Sequence, residues 1–252
     1  PTPMSQSRLT HALETGALVL PEGRIAVFAP PTGFDLSALE RARVEVVSRF
    51  YPDVVYWQGL GYRVLQEPEG QYAAALVVLP RAKDAARALL AEAAVCADLL
   101  IVDGQKTDGV DSILKAVTKI APPDTVLSKA HGKVFWLADP DLADWTGTPR
   151  DVDGFVTRPG VFSADGPDKG SVALLDALPA LSGHVVDLGA GWGYLSRAIL
   201  ASDAVTALDI VEADLTALDC ARENVTDPRA AFHWADATRF RPKQPADVVV
   251  SN

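Results

Sequence analysis

The sequence VVDLGAGWG at residues 185–193 joins a short apolar run to a turn that contains three glycines. An apolar run of this length is typical of a strand that is covered on both faces. Gly189, Gly191 and Gly193 allow the backbone to turn sharply and to approach a ligand without interference from a Cβ atom. A helical stretch follows from Tyr194. Alone, the GxGxG spacing indicates only a tight strand–helix turn, so the downstream residues decide its meaning.

Acidic residues lie at the ends of three successive predicted strands. Asp187 precedes the glycines, a position that suits an ammonium group better than a pyrophosphate. Glu212 ends the strand VTALDIVE, where a carboxylate can accept both hydroxyls of a ribose, and Asp209 on the same strand is its competitor. Asp236 follows the third strand and can accept an adenine amino group, flanked by the backbone of residues 235–237. Because open parallel sheets bind ligands at the carboxyl ends of their strands, one pocket is predicted there.

Strands and helices alternate on both sides of this motif, which predicts a mainly parallel, doubly wound α/β fold. In the N-terminal part we interpret RIAVFAPP, VEVVSRF, YRVLQ, ALVVLP, DLLIVDG and KVFWL as strands, and DLSALERAR, RAKDAARALLAEAAV and DSILKAVTKI as helices. HGK at 131–133 predicts a hairpin turn with an antiparallel pair. The polar stretch at 137–154 predicts a linker. We therefore expect two tandem Rossmann-like sheets, in residues 1–150 and 151–252.

Composition and charge restrict the class of protein. No apolar run is long enough to span a membrane, and no secretory signal is visible at the N-terminus. Cys96 and Cys220 lack metal or redox spacing and are interpreted as reduced thiols in a cytoplasmic protein. The net charge is −10, with 15 basic and 18 acidic residues in 1–150 against 8 and 15 in 151–252. This charge does not favour binding to nucleic acid.

With the last residues included, the second part resembles the class I S-adenosylmethionine-dependent methyltransferases. It is similar, more narrowly, to the bacterial ribosomal RNA guanine-N2 methyltransferases of the RsmC/RlmG group. The segment TRPGVFSADGPDKGSVALL at 157–175 resembles the group's FS…D-x-G-S/T segment, which lies against the methionine end of the cofactor. The final strand, ADVVVSN, places Asn252 where the group has the Asn of an Asn-Pro-Pro-Phe motif. The resemblance implies that Asn252 is catalytic, although the two prolines and the aromatic residue are not present.

The resemblance implies S-adenosylmethionine as cofactor and no metal. The implied cofactor-binding residues are Asp187, Gly189, Ala190, Gly191, Gly193, Glu212, Asp236, Ala237, Phe162, Ser163, Gly170 and Ser171. The group's tandem plan implies a degenerate methyltransferase-like domain at 1–150, because its first strand ends AVFAPPTG without a glycine turn or a preceding acid. The catalytic domain at 151–252 is expected to be truncated after its fourth strand, since an open sheet edge would remain.

The implied substrate is the exocyclic amine of a guanine in ribosomal RNA, with ribosomal RNA or the small ribosomal subunit as partner of a monomer. Two alternatives remain. The acidic charge favours a methyltransferase that acts on a protein glutamine or a small amine. A non-catalytic module could also have kept the cofactor pocket without the chemistry. A Rossmann oxidoreductase is disfavoured, because the glycines are spaced GxGxG and not GxGxxG.

Overall fold

A computed structural model describes residues 7–252, which form two compact units. The first unit contains residues 7–48 and 53–147, and the second contains residues 49–52 and 148–252. None of the helices within the described range combines the length and the apolar character needed to cross a membrane.

The first unit is built on a seven-stranded sheet with the order β3-β2-β1-β4-β5-β7-β6. Its strands are β1 (Ile25–Phe28), β2 (Val44–Val47), β3 (Arg63–Leu65), β4 (Tyr72–Val78), β5 (Ala97–Gln105), β6 (Thr125–Lys129) and β7 (Gly132–Ala138). β1 to β5 pair in parallel, and β7 is antiparallel to both of its neighbours. The helices are α1 (Arg8–Glu14), α2 (Tyr51–Gly59), α3 (Lys83–Cys96) and α4 (Val110–Thr118).

Burial on both faces explains why the central strands are uninterrupted apolar runs. All four residues of β1 are buried. Ala26 and Phe28 belong to one hydrophobic cluster, whereas Ile25 and Val27 belong to the other. Successive side chains of a strand point to opposite faces, so this division places a core on each side of the sheet. The predicted doubly wound fold is confirmed for this unit.

The second unit contains a four-stranded parallel sheet with the order β12-β11-β10-β13. These strands are β10 (Gly183–Leu188), β11 (Val205–Glu212), β12 (Ala230–Trp234) and β13 (Val248–Ser251). The helices are α5 (Lys169–Ala177), α6 (Tyr194–Ile199) and α7 (Leu215–Asn224), and a hairpin of β8 (Arg150–Val152) and β9 (Phe155–Thr157) precedes them. The strands predicted from VVDLGAGWG, VTALDIVE and ADVVVSN and the helix predicted from Tyr194 occur, each within a few residues of its predicted ends.

Two predictions about the first unit differ in outcome. The hairpin at 131–133 is confirmed: β6 and β7 pair across a turn in which Ala130 and His131 have positive φ angles of 47° and 56°. The helix predicted at 35–43 is wrong, because only Arg41–Arg43 forms a 3₁₀ turn. Asp35 Oδ1 accepts hydrogen bonds from the backbone N–H and the hydroxyl of Ser37, a local turn that competes with a helix.

Two further segments were not predicted correctly. α2 was missed, since its Tyr, Pro and Val residues give a weak helical signal. The stretch at 137–154, predicted as a linker, is not irregular throughout, because it contains β8 (Arg150–Val152), which pairs with β9 (Phe155–Thr157). Cys96 and Cys220 are both buried and free.

Candidate functional site

The glycine turn after β10 leaves open space in front of its backbone. Gly189, Gly191 and Gly193 have φ angles of +71°, +57° and +94°, which L side chains rarely adopt. A Cβ atom at Gly189 or Gly191 would meet nothing within 4 Å, whereas one at Gly193 would lie 3.1 Å from Val225. The first two glycines therefore face a space that a ligand can fill, and the third permits close packing against α7.

Asp187 is buried directly behind this turn, with a relative exposure of 1%. Its Oδ2 accepts a hydrogen bond of 2.6 Å from the Ser196 hydroxyl at the start of α6. Its Oδ1 is buried and has no hydrogen-bond partner among residues 7–252. Burial raises the pKa of Asp187 to about 6; the nearby charge of Glu212 adds to this effect, and the Ser196 hydrogen bond opposes it. An unpaired buried carboxylate oxygen is costly, and a positively charged donor would relieve that cost.

Glu212, at the end of β11, contacts the glycine turn. Its Oε2 accepts the backbone N–H of Gly191 at 2.7 Å, and its Oε1 accepts that of Asp214 at 2.8 Å. Each carboxylate oxygen retains a further lone pair for a hydroxyl donor. Glu212 thus lies where the sequence predicts it.

Asp209, the competitor of Glu212, is occupied elsewhere on the sheet. It accepts hydrogen bonds from Nε2 of His184 on β10 at 2.6 Å and from Nε2 of His233 on β12 at 2.7 Å. The hydrogen bond to Asp209 raises the pKa of His184 above its ordinary value. Through these contacts, Asp209 on β11 links β10 and β12 to its own strand.

Asp236 follows β12, next to the end of β11, where Ala235 N–H donates to the Glu212 carbonyl. Its Oδ1 accepts the backbone N–H and the hydroxyl of Thr238 at 2.9 and 2.6 Å. These bonds, the hydroxyl first, lower the pKa of Asp236, so the carboxylate is charged at neutral pH. Ala237 is half-buried beside it.

The segment before α5 is connected to the glycine turn through Phe162. The Phe162 carbonyl accepts the indole N–H of Trp192 at 3.1 Å, while Phe162 as a residue is 76% exposed. Ser163 has a positive φ of 55°, and its hydroxyl donates to the Gly166 carbonyl at 2.6 Å. Asp168 then begins α5 as its N-cap, accepting the N–H groups of Gly170 and Ser171.

Asn252 follows β13, the strand that pairs with β10. Its side-chain Nδ2 donates to Ser171 Oγ at 2.9 Å and lies 3.3 Å from both carboxylate oxygens of Asp168. The structure therefore brings the predicted catalytic residue against the predicted FS…D-x-G-S segment, which is more than 80 residues away in the chain.

A pocket lies between the segment before α5, the glycine turn and Asn252. Of the predicted residues it is lined by Phe162, Ser163, Ser171, Gly189, Ala190, Gly191 and Asn252. The remaining predicted residues are not among its lining residues, and these are Gly170, Asp187, Gly193, Glu212, Asp236 and Ala237. Sequence reasoning missed five lining residues, namely Pro167, Asp168, Trp192, Tyr194 and Leu195. Asp168 had a visible signal, since it is the acidic residue of the D-x-G-S pattern. Among the described residues, no cluster of three or more His, Cys, Asp or Glu side chains is placed to hold a metal.

Residues 153–252 match the family model of the methyltransferase small domain. A ribosomal RNA small subunit methyltransferase C from Shewanella sp. (strain MR-7) is 32% identical over 165 residues, which cover 60% of this chain and 48% of that protein. The protein of the same name from Pseudomonas aeruginosa (strain LESB58) is 30% identical over 171 residues, covering 62% of this chain and 51% of the relative. The chain thus spans about half the length of the curated relatives that it matches.

Among solved structures, the chain is similar to the T. thermophilus 16S rRNA N2 G1207 methyltransferase (RsmC) in complex with AdoMet and guanosine. The TM-score is 0.77 at 21% identity, covering 98% of this chain and 74% of that one. This similarity confirms the fold class. The matched family model and the named relatives confirm the resemblance to RsmC-type class I methyltransferases that the sequence motifs predict.

Proposed function

We propose that this chain, whose residues 153–252 match the family model of the methyltransferase small domain, is an S-adenosylmethionine-dependent N-methyltransferase. Its proposed substrate is the exocyclic amine of a guanine in ribosomal RNA, free or in the small ribosomal subunit, in the cytoplasm. The main support is the meeting of Asn252, Ser171 and the glycine turn at one pocket. The names of the relatives support the class of substrate.

The residues present fit the proposed cofactor. The unpaired Oδ1 of Asp187 is an acceptor suited to the ammonium group of a methionine moiety. The open space before Gly189 and Gly191 admits a ligand close to the backbone. Glu212 retains lone pairs for ribose hydroxyls, and Asp236 lies at the next strand end for an adenine amino group.

The chemistry assigned to the protein is alignment and hydrogen bonding. When bound, S-adenosylmethionine supplies a methyl group that is already activated by its sulfonium. An amine conjugated with a purine ring is a poor nucleophile because its lone pair is delocalised. The Asn252 carboxamide oxygen would accept an N–H of that amine, which favours a pyramidal nitrogen and stabilises the positive charge that develops on it. The pocket walls would hold the amine in line and exclude water.

Replacement of Asn252 tests this assignment. We expect Asn252→Ala to lower methyl transfer to ribosomal RNA by about 100-fold or more, because an oriented acceptor is lost. Cofactor affinity should change little, since the variant leaves the glycine turn and Asp187 intact. The measurements are transfer of labelled methyl groups to free RNA and to small subunits, and calorimetry with the cofactor. Gln244→Ala, which truncates another exposed carboxamide, is the matched control. Equal losses of transfer and of affinity would contradict the role of Asn252.

The net charge of −10 favours a second candidate, methylation of a protein glutamine or a small amine. The same carboxamide acceptor serves amides and amines. Labelled transfer to protein but not to RNA would select this alternative. Cofactor binding without transfer to any of these substrates would select a non-catalytic module.

A further inference from the structure

We propose that Asp168 and Ser171 are positioning residues that fix the rotation of the Asn252 carboxamide, so that its oxygen is available to the substrate. This inference rests on the proposed function, because it assigns to the Asn252 oxygen the role of accepting an N–H of the amine. The inference adds an explanation of how the Asn252 carboxamide is oriented, because an exposed side chain is not held in one orientation by packing.

The hydrogen-bond inventory allows only one rotation of this carboxamide. A charged carboxylate such as Asp168 has acceptors and no donors. The Ser171 hydroxyl has one proton, and it donates that proton to Asp168 Oδ2 at 2.5 Å. Asp168 and Ser171 can therefore only accept hydrogen bonds from Asn252. Nδ2 of Asn252 must face them, and its Oδ1 must point away from them.

Asp168 stays charged at neutral pH. The hydrogen bond from the Ser171 hydroxyl, followed by the backbone N–H groups of Ser171 and Gly170, lowers the pKa of Asp168 below its usual value. The carboxylate is also the N-cap of α5, which holds it in place relative to the helix. The orientation is thus built on a rigid element and does not depend on Asn252 itself.

Gly170 makes room for the oriented carboxamide. A Cβ atom at this position would lie 2.8 Å from Asn252 Oδ1 and 3.0 Å from Asp168 Oδ1, both closer than a normal contact allows. Its φ is not in the left-handed region, so a side chain here is opposed by these contacts alone and would have to displace the exposed Asn252 carboxamide.

The opposite rotation would be unproductive. It would present the Asn252 NH₂ group to an amine, which places donors against donors and gives no stabilisation of positive charge. A network that rejects this rotation therefore raises the fraction of protein that is competent for transfer. The expected effect of its loss is on turnover and not on cofactor affinity.

Asp168→Asn reverses the polarity of this network while keeping the helix cap. Asn is as good an N-cap as Asp, and its oxygen can still accept the N–H groups of Gly170 and Ser171. Its NH₂ group, however, takes the place of Oδ2, which frees the Ser171 proton to donate to the Asn252 oxygen. We expect kcat to fall about tenfold, with cofactor Kd changed by less than about twofold. Asp151→Asn, the same change at an exposed residue of β8, is the matched control.

Two further measurements separate positioning from a general structural effect. In an Asn252→Ala background, Asp168→Asn should lower turnover no further, because its action passes through Asn252. In ¹⁵N-labelled protein, the Asn252 side-chain NH₂ signals, assigned by their loss in Asn252→Ala, should shift in Asp168→Asn and stay unchanged in Asp151→Asn.

Unchanged kcat in Asp168→Asn, a full loss in the Asn252→Ala background, or unshifted NH₂ signals would each overturn the proposal. If the unaltered protein transfers no methyl group, the proposed function fails. The NMR shifts still decide the orientation in that case.

Discussion

At Asp187, the stability of the folded protein and the proposed function conflict, because a buried carboxylate is destabilising when it is charged. Its pKa, raised from 3.8 to about 6 chiefly by burial, means that the folded protein takes up a proton that the unfolded chain does not. Its contribution to stability is therefore greatest at low pH, falls as pH rises from about 4 to 6, and remains lost at neutral pH. A charge kept at such a cost is expected where a ligand needs it.

Asp187→Asn tests this conflict, because the amide resembles the protonated acid and can still accept from Ser196. We expect the free energy of unfolding at pH 8 to rise by up to about 3 kcal/mol, and the gain to shrink toward pH 4. Cofactor affinity should fall in the same variant. Thermal unfolding across pH and calorimetry at pH 8 measure the two effects, with Asp176→Asn on the exposed side of α5 as control. A variant that is less stable than the parent at pH 8 would refute the interpretation.

The individual site residues differ in how far the sequence could predict them. The positions of Asp187, the glycines and Glu212 near strand ends were predictable, because each lies at a fixed distance from a strand that is visible as an apolar run. The contact of Asn252 with Asp168 was not, since it joins positions 84 residues apart and depends on which strand lies beside β10. Spacing along the chain carries no information about that neighbour.

Among the secondary-structure elements, strands were predicted better than helices, for a physical reason. β10 and β11 carry buried residues on both faces and are therefore visible as apolar runs. β13 is also apolar in sequence, although only Val250 is buried and Val249 is 59% exposed. The helix expected at 35–43 had the right apolar spacing at Leu36 and Leu39, which are buried. The side chain of Asp35 nevertheless fixes a turn that the periodicity does not reveal.

Asn224, at the end of α7, connects three elements of the second unit. Its Oδ1 accepts the Val156 N–H of β9 at 2.6 Å, and its Nδ2 donates to the carbonyls of Val156 and Trp192 at 2.8 and 2.7 Å. The side chain is buried, so these backbone groups would lose their partners on truncation. The glycine turn is thereby held to α7 and the hairpin.

We expect Asn224→Ala to lower the free energy of unfolding by about 3 kcal/mol, because buried donors and acceptors are left unsatisfied. Urea unfolding measures this loss. Arg222→Ala on the same helix removes an exposed ion pair with Asp219 and a guanidinium contact 5.8 Å from the centre of the Phe232 ring, and it should change stability by less than about 1 kcal/mol. Similar losses in the two variants would show that Asn224 does not hold these elements together.

In the whole molecule, the strand order β3-β2-β1-β4 of the first sheet is repeated as β12-β11-β10-β13 in the second. The residues at the proposed site are not repeated. β1 pairs with β2 and β4 as β10 pairs with β11 and β13. The N–H of Ala29 donates to Val47, as that of Gly189 donates to Val211. When the two sheets are aligned by this pairing, Asp187 of the second unit corresponds to Val27 of the first, and Gly189 corresponds to Ala29. In the same alignment Glu212 corresponds to Ser48, and Asn252 corresponds to Val78. We propose on this basis that the first unit is a degenerate copy without a cofactor site.

The turn after β1 supports this proposal, because Pro30 follows Ala29 and its carbonyl accepts the indole N–H of the buried Trp57 at 2.9 Å. A proline and an anchored carbonyl replace the flexible glycines, so the backbone there has little freedom to surround a ligand. We expect calorimetry to give one molecule of S-adenosylmethionine per chain. Asp187→Asn should lower the affinity of this one binding event, and no second binding event with unchanged affinity should remain. A stoichiometry of two, or tight binding that survives Asp187→Asn, would show that the first unit has kept a site of its own.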